Sequence, residues 1–164
     1  RESMKIRAED LPPSHIRIDK EGGWHYKGNE MFRKDIVKLF YENLKRDDAG
    51  RYYIELENDV ASLEVEDTAY VVKAVYRLGR PEEGNERIVV LLSDESLEDL
   101  DCSTLCISRD NVLYCTVKPD GHPARFLRSS YYQIAEAFEY DESRDSYYLP
   151  LNGMRYYIQQ RDGA

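Results

Sequence analysis

The sequence predicts an α+β protein with two small subdomains, each built from repeated strand-helix-strand units with mostly antiparallel sheets. Segments in which apolar and polar residues alternate, as in half-buried strands, outnumber the two segments with helical spacing. The regular βαβα alternation of a parallel sheet is missing. One pattern also occurs twice: a strand, a short amphipathic helix entered through an arginine, and a strand with a tyrosine pair. This repetition predicts two related halves.

The first copy begins with a hairpin predicted over 16–27, because the glycines in its middle permit a tight turn. A helix is predicted over 31–44, since its apolar residues recur at helical spacing and form one stripe. The stripe consists of Phe32, Ile36, Leu39, Phe40 and Leu44. Residues 51–57 alternate again and predict the next strand.

Three further strands are predicted before the middle of the chain, over 61–65, 69–78 and 87–93. The acidic stretch 94–101 is interpreted as a solvated linker, and it lacks the ligand spacing and turn glycine of a calcium loop. The expected organisation is a flexible arm over 1–13, a first subdomain over 14–93 and a second over 94–164.

The second copy starts with a hairpin between 105–107 and 112–117. A helix is predicted over 129–139, with Ser129 as its N-cap because a serine hydroxyl can accept a free backbone N–H of the first turn. Its apolar stripe consists of Tyr131, Ile134, Ala135 and Phe138. Two strands follow, over 146–149 and 155–159. The expected core includes Trp24, Phe40 and Phe138.

The composition excludes several classes of protein. A formal net charge of -9 argues against non-specific nucleic-acid binding, which needs clustered lysine and arginine. No apolar run approaches the roughly 20 residues of a membrane helix, and no secretory signal is recognised. Arg1–Ser3 before Met4 is interpreted as an expression remnant. The expected location is the cytoplasm, without a membrane partner.

The three cysteines are expected to be free thiols, as is usual in a reducing compartment. Cys102, Cys106, Cys115 and His122 offer four possible zinc ligands, but the tight Cys-x2-Cys knuckle of structural sites is missing. We expect Cys106 and Cys115 to be paired across a hairpin and His122 to lie in a loop beyond their reach. The sequence therefore predicts no metal and no cofactor. It also contains no nucleophile elbow, phosphate-binding loop or dinucleotide fingerprint, so no catalytic residue is predicted.

Four adjacent tyrosine pairs are the least ordinary feature of the chain. They are Tyr52-Tyr53, Tyr131-Tyr132, Tyr147-Tyr148 and Tyr156-Tyr157. Neighbours on a strand point to opposite faces, so one ring of each strand pair is expected to face away from the core. Such rings either cover a sheet surface or form a binding surface. We expect at least two outward rings from the strand pairs to share one exposed patch.

Several stretches carry a family resemblance in their order and spacing. They are Ile16–Asp19 with Gly22, Trp24 and Gly28; Val37, Leu39, Phe40 and Leu44; Val65–Asp67; and Arg128, Tyr131, Tyr132 and Ile134. Over roughly residues 14–158 the chain resembles a bacterial family defined as domain of unknown function 1285 (DUF1285). The resemblance implies two α+β subdomains of repeated units and a role in signal transduction. The chain departs from the family pattern Gly-Val-Phe-Phe-Pro-Leu at 153–158.

We therefore expect a non-enzymatic cytoplasmic binding or regulatory module with a small-molecule or protein partner. A homodimer is the simplest partner. The predicted binding residues are Trp24, Arg33, Glu66, Asp67, Arg128 and Tyr132. The alternative is a small enzyme in which the carboxylates Glu66 and Asp67 act with Arg33 or Arg128 in a groove between the subdomains, since paired carboxylates can divide acid and base roles.

Overall fold

The computed structural model describes residues 5–161. These residues form two compact units, of which the first ends at Thr68 and the second begins at Ala69. The predicted α+β class is confirmed, because strands dominate, two helices occur within the described residues, and most strand pairs are antiparallel.

The first unit consists of one six-stranded sheet and one helix within the described residues. Its strands are β1 (Pro13–Ile18), β2 (Trp24–Tyr26), β3 (Asn29–Glu30), β4 (Leu44–Arg46), β5 (Tyr52–Leu56) and β6 (Asp59–Val65). They lie in the order β3-β2-β1-β6-β5-β4. Only β1 and β6 are parallel. The first and last strands of the unit therefore meet in the middle of its sheet.

The hairpin predicted over 16–27 is confirmed, with Ile18 opposite Trp24. Asp19 closes its turn, because one carboxylate oxygen accepts the backbone N–H groups of Glu21 and Gly23, each at 2.9 Å. Part of the predicted N-terminal arm is structured. A 3-10 turn spans Ala8–Asp10, and Ala8 is buried.

The first helix, α1 (Lys34–Glu42), is shorter than the predicted 31–44. Residues at both ends of the predicted helix form hydrogen bonds with strands instead. The N–H of Met31 donates to the carbonyl of Trp24 at 2.8 Å, and Leu44 pairs with Ile54 in β4–β5. The predicted stripe is consequently wrong in part. Phe32 precedes the helix and is 80% exposed.

The buried aromatic residue of α1 is Tyr41, which no stripe predicted. Its ring meets that of Trp24 edge-on, with centroids 4.8 Å apart. Phe40 stacks on the same indole at 6.0 Å but stays half-buried, as does Phe138 in the second unit. Of the three expected core residues, only Trp24 is buried.

The second unit contains a seven-stranded sheet, a three-stranded sheet and the helix α2 (Arg128–Ala135). The larger sheet is built from β7 (Tyr70–Leu78), β8 (Arg87–Leu92), β9 (Leu97–Asp99), β10 (Cys106–Ile107), β11 (Leu113–Val117), β12 (His122–Phe126) and β16 (Gln159–Gln160). The smaller sheet is built from β13 (Glu139–Asp141), β14 (Ser146–Leu151) and β15 (Met154–Tyr157). The orders are β16-β10-β11-β12-β7-β8-β9 and β13-β14-β15.

The division of the chain lies earlier than the expected join between 93 and 94. The reason is a parallel pairing of β7 with β12, in which Tyr70 lies opposite Ala124. This pairing commits β7 and β8 to the second unit. The acidic stretch 94–101 is also more than a linker, because it contains β9, and Glu98 accepts the backbone N–H of Lys118.

The second helix ends earlier than predicted, since the chain enters β13 at Glu139. Its N-cap is Leu127, without a side-chain cap, so the expected capping role of Ser129 is wrong. The neighbouring Ser130 links the helix to the sheet instead, because its buried hydroxyl donates to the carbonyl oxygen of Val72 in β7 at 2.7 Å. The helix is therefore attached to the large sheet from within its first turn.

Candidate functional site

The second unit carries an open cleft of about 520 Å³. Its walls come from the turn between β10 and β11, from α2, from the β13–β14 hairpin and from β16. We call it the tyrosine cleft, after the residues that define it. They are Asn111, Tyr131, Phe138, Tyr140, Asp145 and Tyr147.

Two of the three tyrosine rings come from one strand pair. Tyr140 in β13 lies opposite Tyr147 in β14, and their ring centroids are 5.1 Å apart at an interplanar angle of 60°. These rings are 47% and 57% exposed. The third ring belongs to Tyr131 of α2, whose hydroxyl donates to the side-chain oxygen of Asn111 at 2.8 Å. The cleft therefore presents aromatic surface with polar groups at its edge.

Two turn residues complete the edge of the cleft in the left-handed backbone region. Asn111 has φ 62° and Asp145 has φ 48°. Asparagine and aspartate occupy this region more readily than most other residues, which explains their use at these turns. Their side chains are thereby placed beside the rings. The hydroxyl of Tyr140 donates to the carboxylate of Asp145.

The phenols of Tyr131 and Tyr140 stay protonated at neutral pH, because the pKa of each is raised. The hydrogen bond to Asp145 raises the pKa of Tyr140, and burial raises the pKa of Tyr131. Both hydroxyls can therefore donate hydrogen bonds. Among the described residues that line the cleft, Asp145 is the only one with a charged side chain.

The predicted binding residues of the first unit are not among those that line this cleft. Trp24 is a core residue, and it is the only one among the described residues with a buried side-chain nitrogen or oxygen that lacks a hydrogen-bond partner. Glu66 pairs with Arg17 at 2.7 Å, and Arg33 pairs with Asp35 at 2.8 Å. Both ion pairs are exposed, so these groups have the surroundings of ordinary surface residues.

Asp67 is the one predicted residue that lines a described hollow of the first unit. This hollow measures about 300 Å³ and is more polar than the tyrosine cleft. An ion pair between Arg51 and Glu9 lies in its wall, and the hydrogen bond from this arginine lowers the pKa of Glu9.

Arg128 and Tyr132 are the two predicted residues that the structure brings together. The guanidinium of Arg128 donates to the hydroxyl of Tyr132 at 3.3 Å on the surface of α2. The ring of Tyr132 is 59% exposed and lies 6.3 Å from the ring of Tyr131, centroid to centroid. Tyr131 of this pair lines the cleft, whereas the predicted Tyr132 does not.

The strand pairs of tyrosines differ from the expected pattern. Tyr52 and Tyr53 are both buried, because β5 lies inside the sheet and the turn that begins at Ala8 lines the same hollow as Tyr52. Tyr147 does face outward, but its partners in the exposed patch are Tyr131 and Tyr140. Tyr140 has no adjacent tyrosine, so the pattern of adjacent pairs did not indicate it.

The arrangement of the possible zinc ligands also differs from the expectation. Cys106 lies opposite Tyr114, and Cys115 lies opposite Ala124, so the two thiols are not cross-strand partners. His122 belongs to β12, where it is 4% exposed and pairs with the carboxylate of Asp120. No group of three or more metal-ligating side chains occurs among residues 5–161.

Burial raises the pKa of the thiols, to about 11 for Cys102 and further for Cys115. The thiolate, which is the form that acts as a nucleophile and binds metals, is thus disfavoured at both positions.

Within the described part of the chain, no helix is both long and apolar enough to cross a bilayer.

Comparison with known proteins supports the family inferred from the sequence. Residues 5–68 match the profile of the N-terminal domain of DUF1285, a domain of unknown function. The match ends where the first unit ends. A search of curated proteins found no match.

Two solved structures have the same fold. A DUF1285 family protein from Silicibacter pomeroyi DSS-3 aligns over 97% of this chain and 90% of its own, with a TM-score of 0.73 and 18% identity. A DUF1285 family protein from Shewanella baltica OS155 aligns over 77% and 94%, with a TM-score of 0.62 and 21% identity. At these identities the likeness establishes the fold.

Proposed function

We propose that this chain, which belongs to the DUF1285 family through its N-terminal domain, is a non-enzymatic binding module whose ligand site is the tyrosine cleft. The observation that carries the proposal is the convergence of three tyrosine rings and Phe138 on one cleft of about 520 Å³. Small-molecule sites typically measure about 300–1,000 Å³ and combine aromatic walls with a few polar groups.

The exposure of the rings supplies the driving force. Tyr140 and Tyr147 leave about half of their surface in water. A ligand that covers them gains the transfer free energy of this area, about 25 cal/mol per Å² of apolar surface. Tyrosine gives this contact at small entropic cost, since its side chain has only two rotatable torsions before the hydroxyl. Asn111 and Asp145 at the edge can orient what binds.

We extend the proposal to a regulatory role in the cytoplasm. Its three cysteines are free thiols, the usual state in a reducing compartment. The fraction of chains with a ligand in the cleft would change with the ligand concentration, and a partner could respond to that change. On this basis the proposed role includes signal transduction.

The test is a fragment screen by ligand-observed NMR on the full chain and two variants. Tyr147→Ser removes an exposed ring from the cleft, whereas Tyr132→Ser removes a ring of equal exposure outside it. We expect aromatic or cyclic fragments to bind the wild type and the Tyr132→Ser variant, and to lose most of their signal with Tyr147→Ser. Equal binding to all three proteins, or none to any, would overturn the proposal.

Sedimentation of the same proteins tests the alternative occupant, a second copy of the chain. One outcome is a wild-type dimer that the Tyr147→Ser variant does not form and the Tyr132→Ser variant still forms. This result would mean that the cleft rings of two copies of the chain pack against each other. The cleft would then be a self-association surface, and the proposed ligand site would be wrong.

A further inference from the structure

We propose that the tyrosine cleft selects an organic cation, a ligand with an ammonium or guanidinium group beside the rings. This inference rests on the proposed binding function and adds the chemical class of the ligand. Three observations support it. The charge in the lining of the cleft is negative, arginines lie over other tyrosines of the same unit, and the carboxylate of Asp145 is held beside the ring of Tyr140.

The charge at the cleft is negative. Asp145 is the only charged side chain among the described residues that line it, and the chain as a whole carries a formal net charge of -9. The one charge in the lining and the net charge of the chain therefore have the same sign, which favours cations over carboxylates and phosphates.

Other tyrosines of the second unit already hold cations of the chain itself. Arg144 lies over Tyr157 with its guanidinium carbon 3.8 Å from the ring centroid, and Arg155 lies over Tyr148 at 4.5 Å. A third stack joins Arg161 to Tyr114 at 3.7 Å. Cation–π attraction is thus a repeated device of this unit.

The rings of the cleft differ in this respect. Within residues 5–161, no lysine or arginine lies over Tyr131, Tyr140 or Tyr147. These three rings contact other tyrosines and polar side chains instead. The exposed parts of Tyr140 and Tyr147, 47% and 57% of these residues, are therefore available to a cation that arrives from solution.

Asp145 supplies the countercharge at the right place. One of its carboxylate oxygens accepts the hydroxyl of Tyr140, which fixes the carboxylate beside that ring. No lysine or arginine of the described residues forms a salt bridge with it. Aromatic faces bind quaternary ammonium ligands through cation–π attraction, and a carboxylate beside them adds a Coulombic attraction.

The test compares choline with 3,3-dimethylbutan-1-ol, an uncharged molecule of nearly the same shape. Binding is followed by chemical-shift changes of the full chain. We expect choline to shift resonances of the cleft residues and to bind about tenfold more tightly than the alcohol, a ratio in the range of desolvated cation–π contacts. Acetyl-arginine amide is a third probe, which mimics an arginine side chain of a partner protein. Tighter binding of choline than of acetyl-arginine amide would indicate a free organic cation as the ligand, and the reverse order would indicate a cationic side chain of a protein.

Two matched variants locate the effect. Asp145→Asn keeps the left-handed turn and a hydrogen-bond acceptor for Tyr140 but removes the charge, and it should weaken choline about fivefold. Glu142→Gln removes an exposed charge of the same loop that does not line the cleft, and it should leave the affinity unchanged.

The outcomes separate the two proposals. If the alcohol or an anionic fragment binds the cleft as tightly as choline, or if Asp145→Asn has no effect, the selection of cations is wrong while the binding function stands. If no probe and no fragment of any charge binds there, the binding function itself fails.

Discussion

Tyr140 and Tyr147 face each other across the β13–β14 pair, with their ring centroids 5.1 Å apart, and both rings border the cleft. A second pair, Tyr148 with Tyr157, joins β14 to β15 at 5.4 Å, and an arginine lies over each of its rings. Because Tyr147 and Tyr148 are neighbours on one strand, the pleat sends them to opposite faces. The small sheet thus has one tyrosine face that arginines already cover and one that borders the cleft.

The half-burial of Phe40 predicts a moderate effect on stability. Its ring stacks on Trp24 at 6.0 Å but is not enclosed, so Phe40→Ala should lower the free energy of unfolding of the first unit by about 1–2 kcal/mol, less than the ~3–5 kcal/mol of a fully buried phenylalanine. Trp24 is the single tryptophan of the chain, and its fluorescence during urea unfolding reports the first unit.

Phe32→Ala is the matched control, since this ring is 80% exposed. Its effect should stay within about 0.5 kcal/mol, as for most surface substitutions. A loss of ~4 kcal/mol in the Phe40 variant would show that the ring is enclosed after all.

Local pattern predicted the hairpins and the approximate position of both helices, because alternation and helical spacing are properties of neighbouring residues. It did not predict which strands join distant parts of the chain. The parallel pairing of β7 with β12 depends on packing between residues far apart in sequence, and it moved the division of the chain to Thr68. The helix stripe was wrong at Phe32 because sheet hydrogen bonds outside the helix fix the chain there.

The hydroxyl of Ser130 predicts a local effect on stability. Its hydroxyl is buried between the carbonyl oxygens of Val72 at 2.7 Å and Leu127 at 3.0 Å. Both carbonyls keep a backbone donor, because the N–H of Leu127 lies 3.2 Å from the oxygen of Val72 and the N–H of Tyr131 lies 2.8 Å from that of Leu127. Ser130→Ala therefore removes one net hydrogen bond and should destabilise the second unit by about 0.5–1.5 kcal/mol. Ser129→Ala, the exposed neighbour, should have almost no effect. Hydrogen exchange of α2 measures both, and equal protection in the two variants would contradict the attachment of the helix through Ser130.

Gly79 and Gly84 predict a contrast between two glycines of one loop. Both have positive φ, +82° and +67°, so alanine at either position costs about 1–2 kcal/mol in backbone strain. At Gly79 the added Cβ would also lie 2.3 Å from the carbonyl oxygen of Asn85, whereas nothing lies within 4 Å at Gly84. Gly79→Ala should therefore lower the melting temperature well below that of Gly84→Ala, and similar melting temperatures would exclude the close approach.

The candidate site was harder to predict than the fold. The tyrosine pairs include two residues that line the cleft, Tyr131 and Tyr147. Tyr140 and Asp145 carry no local signal, because their role arises from the register of β13 with β14 and from a turn with positive φ. A site assembled from cross-strand neighbours becomes visible only when the register is known.

The stability of the small sheet in acid depends on Asp141. The side-chain hydroxyls of Ser143 and Tyr157 donate to the carboxylate of Asp141, each at 2.7 Å, and these bonds lower its pKa to about 2. An unfolded aspartate has a pKa of about 3.9. Because the folded state binds the proton less readily, the carboxylate stabilises the fold fully above about pH 4, and this contribution disappears as the pH falls through about 2.

Comparison with Asp141→Asn isolates this contribution, since the other titrating groups are common to both proteins. The stability difference between wild type and variant, measured by urea unfolding and circular dichroism, should be constant from pH 5 to 7 and should shrink between about pH 4 and 2. NMR titration of the Asp141 carboxyl carbon gives the folded pKa directly. Ser143→Ala removes one hydroxyl donor and should raise that pKa. A midpoint near 4 in the wild type, unchanged by Ser143→Ala, would mean that the hydroxyls do not hold the carboxylate in its charged form.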